Sequence, residues 1–323
     1  MQYEENGRLV RGVGGLYEIR LDRGSTPLSG KVVTSRAKGN FRHAGLTPLV
    51  GDRVRVLYDD TAVAHYTAGE GAVGDGGGVV IREILPRTNA LIRPPMANLG
   101  VLFITFAAAK PDPVTETVDK LIAIAEHNGI EPVPVICKCD VAPARAAELR
   151  EIYQNAGFTV FGVSSVAGEG VWALRDWIGA NLGTRIAAFS GASGVGKSTL
   201  MNALYPDLDL QTGEISQRIS RGKHTTRRVE LYPVGKGYIA DTPGFSMLDF
   251  VRFDFFPKEE LPFVMREFEP YIGACRYTKC THTKEEGCAI LQAVREGKIS
   301  PSRHAGFVAM YEELKDKKDW SKR

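Results

Sequence analysis

Along the first eighty-six residues, apolar and polar positions alternate in short runs divided by glycine. The runs LVRGVGGLYEIRLD (9–22), GKVVTSRAKGN (30–40), GDRVRVLYDD (51–60) and GGGVVIREIL (76–85) have the period of half-buried strands. Several short strands in so few residues predict a small β-barrel, best matched by an OB-fold. The glycine-rich TAGEGAVGDGGG (67–78) reads as a loop between strands. From residue 87 the period changes. NLGVLFITFAA (98–108) predicts a buried strand, DPVTETVDKLIAIAEHNG (112–129) an amphipathic helix, and VPVICKCD (133–140) a second buried strand. A helix over 142–157 follows, then strands in FTVFGVSS (158–165), RIAAFSG (185–191) and GYIADTPG (237–244). Strands alternating with helices predict a mostly parallel sheet covered on both faces. From residue 251 the strand signal is lost, and 259–275 and 290–320 carry helical spacing.

Composition narrows this picture without redirecting it. The 323 residues are 43% apolar and 24% charged, so collagenous, coiled-coil and wholly disordered readings are excluded. A net charge of +3 permits an anionic partner without requiring one. The five cysteines are too few for a disulfide scaffold. The start, MQYEENGRLV, lacks the features of a signal peptide, and the longest apolar stretch, Leu99–Ala109, is short of a membrane span. These features predict a soluble, cytoplasmic protein with no membrane partner.

The chemistry concentrates in a few motifs. Gly191, Ala192, Ser193, Gly194, Val195, Gly196, Lys197 and Ser198 fit G-x-x-x-x-G-K-[ST], with Thr199 next. An apolar strand precedes the loop and a helical segment follows it. Glycines there let several backbone N–H groups face phosphate oxygens, and the helix start adds its positive dipole end. Lys197 is placed to bridge β- and γ-phosphates and Ser198 to hold Mg²⁺. Asp241-Thr-Pro-Gly244 follows the strand GYIA; Asp241 is read as a magnesium group and Gly244 as a γ-phosphate contact. Cys137-Lys138-Cys139-Asp140 resembles an N-K-x-D element. Asp140 can accept from the N1–H and amino group of guanine, and the Lys138 stem can cover the base. Cys137 stands where that pattern has Asn, which removes an amide hydrogen bond. Ser164 and Ser165 are expected on a second loop against the base.

The order of these pieces, 137–140, 163–165, 191–198, 225–226 and 241–244, differs from that of a common GTPase, where base recognition comes last. The order is a circular permutation. Between phosphate loop and Asp241 lies Gln217–Arg228, with five basic residues and no acid, which reads as a switch. One of Thr225 and Thr226 is expected to reach Mg²⁺ and the γ-phosphate, with Thr226 favoured. Phe245 occupies the place of a water-orienting Gln. Further on, Cys275, Cys280, His282 and Cys288 form a Cys₃His set suited to a closed, structural Zn²⁺ site. In the N-terminal region Lys31, Arg36, Lys38, Arg42, Arg53 and Arg55, interleaved with Phe41 and His43, suit contact with an RNA backbone and bases.

With VGDRV (50–54) and PRTNALIRP (86–94), these motifs resemble the circularly permuted, small-ribosomal-subunit-dependent GTPases of the RsgA type over nearly the whole chain. The resemblance implies a multidomain α/β chain: an N-terminal OB-fold β-barrel that binds RNA (1–86), a circularly permuted P-loop GTPase domain (87–250) and a C-terminal helical zinc-binding domain (251–323). It implies GTP and GDP, Mg²⁺ and one Zn²⁺ per chain, and a role in late maturation of the small ribosomal subunit. It also points to His224, beside Lys197 and Thr226, as a water-positioning catalytic group. The expected partners are the small subunit and its ribosomal RNA, the chain itself acting as a monomer with subunit-stimulated hydrolysis. A nucleotide-dependent RNA-binding checkpoint with incidental hydrolysis is the alternative; an ATP-dependent kinase fits Asp140 poorly.

Overall fold

The computed structural model describes residues 1–36, 47–68, 78–91, 94–206, 229–241 and 256–315. In chain order the strands are β1 (Gln2–Val13), β2 (Leu16–Leu21), β3 (Val32–Arg36), β4 (Arg53–Asp59), β5 (Val80–Ile84), β6 (Ala90–Leu91), β7 (Met96–Ala97), β8 (Leu99–Ala107), β9 (Glu131–Cys137), β10 (Phe161–Gly162), β11 (Ile186–Gly191), β12 (Glu230–Val234) and β13 (Gly237–Asp241). The helices are α1 (Asp60–Thr67), α2 (Thr115–His127), α3 (Pro143–Asn155), α4 (Val171–Asn181), α5 (Lys197–Leu204), α6 (Ala289–Arg295) and α7 (Pro301–Lys315). The chain divides into two compact units. One holds Met1–Gly100, Leu182–Ala188 and Gln211–Gly244; the other holds Val101–Asn181, Phe189–Leu210 and Phe245–Arg323.

The first unit contains a five-stranded barrel. β1 pairs antiparallel with both β2 and β4, β2 with β3, β4 with β5, and Arg36 to Val80 closes the ring in parallel. One strand can serve both sides because β1 is long and bulged between Leu9 and Arg11. Gly7 sits at the crossover; a Cβ there would lie 2.7 Å from the Ile19 side chain and 2.8 Å from the Arg20 carbonyl. Alternate residues Leu9, Ile19, Leu21, Val33, Val54, Val56 and Ile81 fill the interior, with Leu28 and Tyr58. The run 51–60, read as a strand, stops at Asp59. Its side chain accepts from the Ala62 N–H and starts α1, which the period-two pattern does not announce.

Two sequence signatures meet beside the barrel. Asp52 of VGDRV is fully buried and held by Arg87 of PRTNALIRP through contacts of 2.6 and 2.7 Å. Gly51 has φ +96°, and a Cβ there would meet the Ala97 carbonyl at 2.1 Å, so only glycine fits. The hairpin β12–β13 completes this unit, paired to β1 on one side and to the first residues of β11 on the other.

The second unit is built on parallel strands β8, β9 and β10. β8 and β9 are buried almost throughout, the mark of a sheet covered on both faces. Phe103 stacks on Phe189 at 4.6 Å and meets Trp177 edge-on at 5.9 Å. α2 buries Val118, Leu121, Ile122 and Ala125, the i, i+3, i+4, i+7 stripe that predicts it. Of 158–165 only Phe161–Gly162 is strand. The helical spacing at 259–275 becomes two 3₁₀ turns, Leu261–Val264 and Arg266–Tyr271, because Pro262 and Pro270 forbid a continuous α-helix. The run from 290 splits into α6 and α7, with Gly297 at φ +71° ending one and Pro301 opening the other.

Candidate nucleotide and metal sites

Gly191 ends β11 in a space that only glycine fills. A Cβ there would lie 2.1 Å from Thr105 Oγ1 and 2.5 Å from the Thr105 carbonyl. Thr105 fixes this end of the strand by donating to the Ser190 carbonyl at 2.7 Å. Ala192, Ser193 and Gly194 are exposed, while Val195 is buried and anchors the loop from below. Gly194 and Gly196 have φ of +79° and +104°. Gly196 is the N-cap of α5 and, having no side chain, does not itself cap the first N–H groups of the helix. Lys197 begins the helix, and Ser198 and Thr199 are exposed on its first turn. Such an end is an anion site in waiting.

The CKCD segment lies at the end of β9. Cys137 is 2% exposed, and its Cβ lies 3.8 Å from the position a Cβ on Gly196 would take. Two motifs distant in the chain therefore lie side by side. Burial pushes the Cys137 thiol up to about 12, so it is a neutral group. Lys138 adopts φ +57° and its ammonium donates to the Lys110 carbonyl. The Cys139 N–H donates to the Val163 carbonyl at 3.2 Å and Val163 N–H to Ile136 at 2.7 Å, which holds the 163–165 loop against the motif. Asp140 is exposed and Ser165 half-buried. Ser164 is buried and its hydroxyl accepts from Ala167 N–H at 3.2 Å, so its side chain serves the loop. Thr105, Lys110 and Gly162, which shape this end of the strands, have no motif that would single them out. A Cβ on Gly162 would lie 2.4 Å from Arg150 and 3.1 Å from the Cys139 sulfur.

Asp241 ends β13, opposite Glu230. The expected switch residues His224, Thr225 and Thr226, together with Gly244 and Phe245, lie outside the described residues, as do Lys38, Phe41, Arg42 and His43. Two of the remaining barrel cations are engaged by acids distant in the sequence. Arg53 forms a two-pronged pair with Asp22, and Arg55 lies 3.3 Å from both Glu4 and Glu83. Between Lys31 and Arg55 the sequence has one acid, Asp52, which understates the acids beside these cations in space.

Cys275, Cys280, His282 and Cys288 come together with their ligand atoms within 4.8 Å of one another. Cys275 Sγ lies 3.5 Å and Cys288 Sγ 3.6 Å from His282 Nδ1, and the two sulfurs are 3.9 Å apart. Tetrahedral zinc with ordinary bond lengths needs about 3.8 Å between sulfurs and about 3.5 Å between sulfur and nitrogen. The donor set fits. Ala289 and Leu291 N–H groups, at the start of α6, point at the Cys275 and Cys288 sulfurs at 3.3 and 3.5 Å. His304 Nε2 lies 2.8 Å from the His282 carbonyl. Glu285 closes the loop by accepting from the Thr281 hydroxyl and N–H and from Thr283 and Lys284 N–H; although its partial burial acts to raise it, these bonds hold the carboxylate at about 2.

A glycine-rich loop between strand and helix, beside a base-type motif from the end of another strand, defines the class: a P-loop nucleotide-binding fold. The RsgA GTPase model matches residues 84–251, and the RsgA N-terminal domain model matches 6–64. The chain is 39% identical to the small ribosomal subunit biogenesis GTPase RsgA of Caldanaerobacter subterraneus subsp. tengcongensis, over 96% of each chain. It is 36% identical to the protein of that name from Geobacillus thermodenitrificans, covering 97% of this chain and 98% of that one. The crystal structure of YjeQ from Thermotoga maritima superposes with a TM-score of 0.78 at 28% identity, over 98% of this chain and all of that one. That of YloQ, a circularly permuted GTPase, gives 0.74 at 30% identity, over 98% of this chain and 96% of that one. This chain belongs to the RsgA GTPase family. Among the described residues no helix is long and apolar enough to cross a membrane.

Proposed function

We propose that this protein hydrolyses GTP to GDP and phosphate during late maturation of the small ribosomal subunit, and that the subunit accelerates the reaction. The relatives named above are small-subunit biogenesis GTPases. The observation that carries the reading to this chain's own residues is the proximity of Cys137 to Gly196, with base motif and phosphate loop side by side in permuted order. The backbone of 191–196 and Lys197 bind the phosphates, and Asp140 with the 163–165 loop selects guanine. Ser198, Thr226 and Asp241 would hold Mg²⁺, which when bound neutralises charge on the β- and γ-phosphates. His224 orients the attacking water. Cys275, Cys280, His282 and Cys288 hold one Zn²⁺ that closes the loop; four protein ligands leave it no open position for chemistry. Residues 1–86 contact ribosomal RNA, 87–250 turn over the nucleotide, and 251–323 form the zinc-stabilised domain. The chain works in the cytoplasm as a monomer.

The test is turnover of GTP and ATP with and without purified small subunits. GTP turnover should exceed ATP turnover and rise at least about tenfold with subunits, as ordering of a GTPase switch by a partner does. Equal turnover of the two nucleotides, or no response to subunits, contradicts the reading.

A further inference from the structure

Within the barrel-containing unit, Glu230 faces two partners at once. It is the register partner of Arg11 on β1 and of Asp241 on β13. A single rung, Arg11–Glu230–Asp241, therefore runs from the first strand of the barrel to the residue read as a magnesium group. Side chains reinforce it. The Arg11 guanidinium lies 3.7 Å from Glu230 and 3.7 Å from Glu18 of β2. Three residues earlier on the same strand, the Arg8 guanidinium lies 5.5 Å from the ring centroid of Tyr238 on β13 and donates to the Gly51 carbonyl at 3.2 Å. Tyr238 is in turn the register partner of Ile186 at the start of β11, and its N–H donates to the Arg185 carbonyl at 3.0 Å. Two arginines of the barrel thus hold the hairpin β12–β13, which ends in Asp241 and pairs through β13 with the start of β11.

We propose that Arg8, Arg11, Glu230 and Tyr238 are positioning residues that carry a displacement of the barrel to the end of β13, so that a partner bound to the barrel sets the placement of Asp241 and with it the rate of hydrolysis. The proposal rests on the reading that subunits stimulate turnover. Hydrogen-bonded strands transmit such a shift because neighbours in a ladder cannot slide independently. The two side-chain contacts fix the hairpin to β1, where strand pairing is otherwise confined to the Arg11–Glu230 register. Turnover without subunits places no load on the barrel and does not draw on these contacts. A demonstrated response of the linked element, rather than proximity, is what establishes coupling.

The experiment uses the full chain in four variants: Tyr238→Leu, Tyr238→Phe, Glu230→Arg, and Arg11→Glu with Glu230→Arg. Single-turnover GTP hydrolysis is measured alone and with saturating small subunits, alongside subunit affinity of the GTP-loaded protein. Tyr238→Leu should lower the stimulated rate about tenfold, the scale of losing a partly buried cation–π contact, while Tyr238→Phe keeps it because the ring remains. Glu230→Arg should lower it about threefold, and the reversed pair should restore most of that, as expected for a half-exposed ion pair. Basal rate and subunit affinity should stay within about twofold of wild type throughout. Stimulation equal to wild type in Tyr238→Leu and Glu230→Arg overturns the proposal and leaves the proposed function standing. So does a fall in subunit affinity that accounts for the whole loss of rate. A wild-type protein indifferent to subunits overturns the proposed function and this proposal with it.

Discussion

Arg303 is the largest fully buried side chain in the described residues. It lies on α7 and reaches Asp119 of α2 at 2.6 Å and Glu267 of the second 3₁₀ turn at 2.7 Å. Burial acts to lower its pKa, but the two carboxylates outweigh that and hold the guanidinium above its ordinary value. Tyr153 adds a hydrogen bond to Asp119 at 3.2 Å, and the rings of Tyr153 and Phe158 flank the cation at 5.7 and 5.5 Å. Gly306 is part of the same fit, since a Cβ there would lie 2.3 Å from Asp119 Oδ2. Removing the cation leaves two buried carboxylates without it. Arg303→Met should therefore lower stability in urea unfolding by about 3–5 kcal/mol, the cost of breaking a buried pair from one side. A change under about 1 kcal/mol would show that the cluster does not hold α7 to α2. None of this is legible in the sequence. Asp119 interrupts the apolar face of an otherwise regular helix, and its partner lies 184 residues away. Periodicity reports which face is buried, not which distant charge waits there.

At the scale of elements, local chemistry was legible and tertiary chemistry was not. Glycine spacing announces the phosphate loop because each glycine answers a local need: positive φ at 194 and 196, and absence of a Cβ at 191. The Cys₃His loop is legible for the same reason, its four donors falling within fourteen residues. The α-helical spacing of 259–275 misled because apolar periodicity survives in 3₁₀ turns while the prolines decide the hydrogen bonding. Two outcomes follow for the zinc loop. Protein purified without chelator should carry one zinc per chain by elemental analysis, and its removal should open 275–288 to protease, because the ligands supply folding energy to a segment with little core. Zinc-free protein that resists protease equally would contradict this. The second outcome concerns acid. Glu285 is held at about 2 in the folded loop against an ordinary value of 4.5. A depressed carboxylate stabilises fully above the unfolded value and loses its contribution as pH falls toward the folded one. Glu285→Gln should therefore melt below wild type at pH 6, and the gap should close between about pH 4.5 and about pH 2. A gap that does not change with pH would mean that the carboxylate's charge plays no part.

For the whole molecule, the proposed function requires that a permuted order of motifs still yields one site. A parallel sheet gathers the carboxyl ends of its strands whatever order the chain visits them, so Cys137 lies beside Gly196 although base recognition precedes the phosphate loop. The permutation also determines what the site is attached to. Residues 182–188 and 211–244, the latter ending past Asp241, belong to the unit that contains the barrel, while 137–140, 191–198 and the zinc ligands belong to the other. The central claim is that 137–140 and 191–198 make a single guanine-nucleotide pocket. Asp140→Asn tests it most directly, by equilibrium binding of GDP and of xanthosine diphosphate. Asparagine at 140 can donate where aspartate only accepts, so it suits the 2-oxo group of xanthine and not the amino group of guanine. The account predicts that GDP affinity falls about a hundredfold or more while xanthosine diphosphate binding appears, since unpaired polar groups in such a site are discriminated strongly. Undiminished GDP affinity in Asp140→Asn would contradict it.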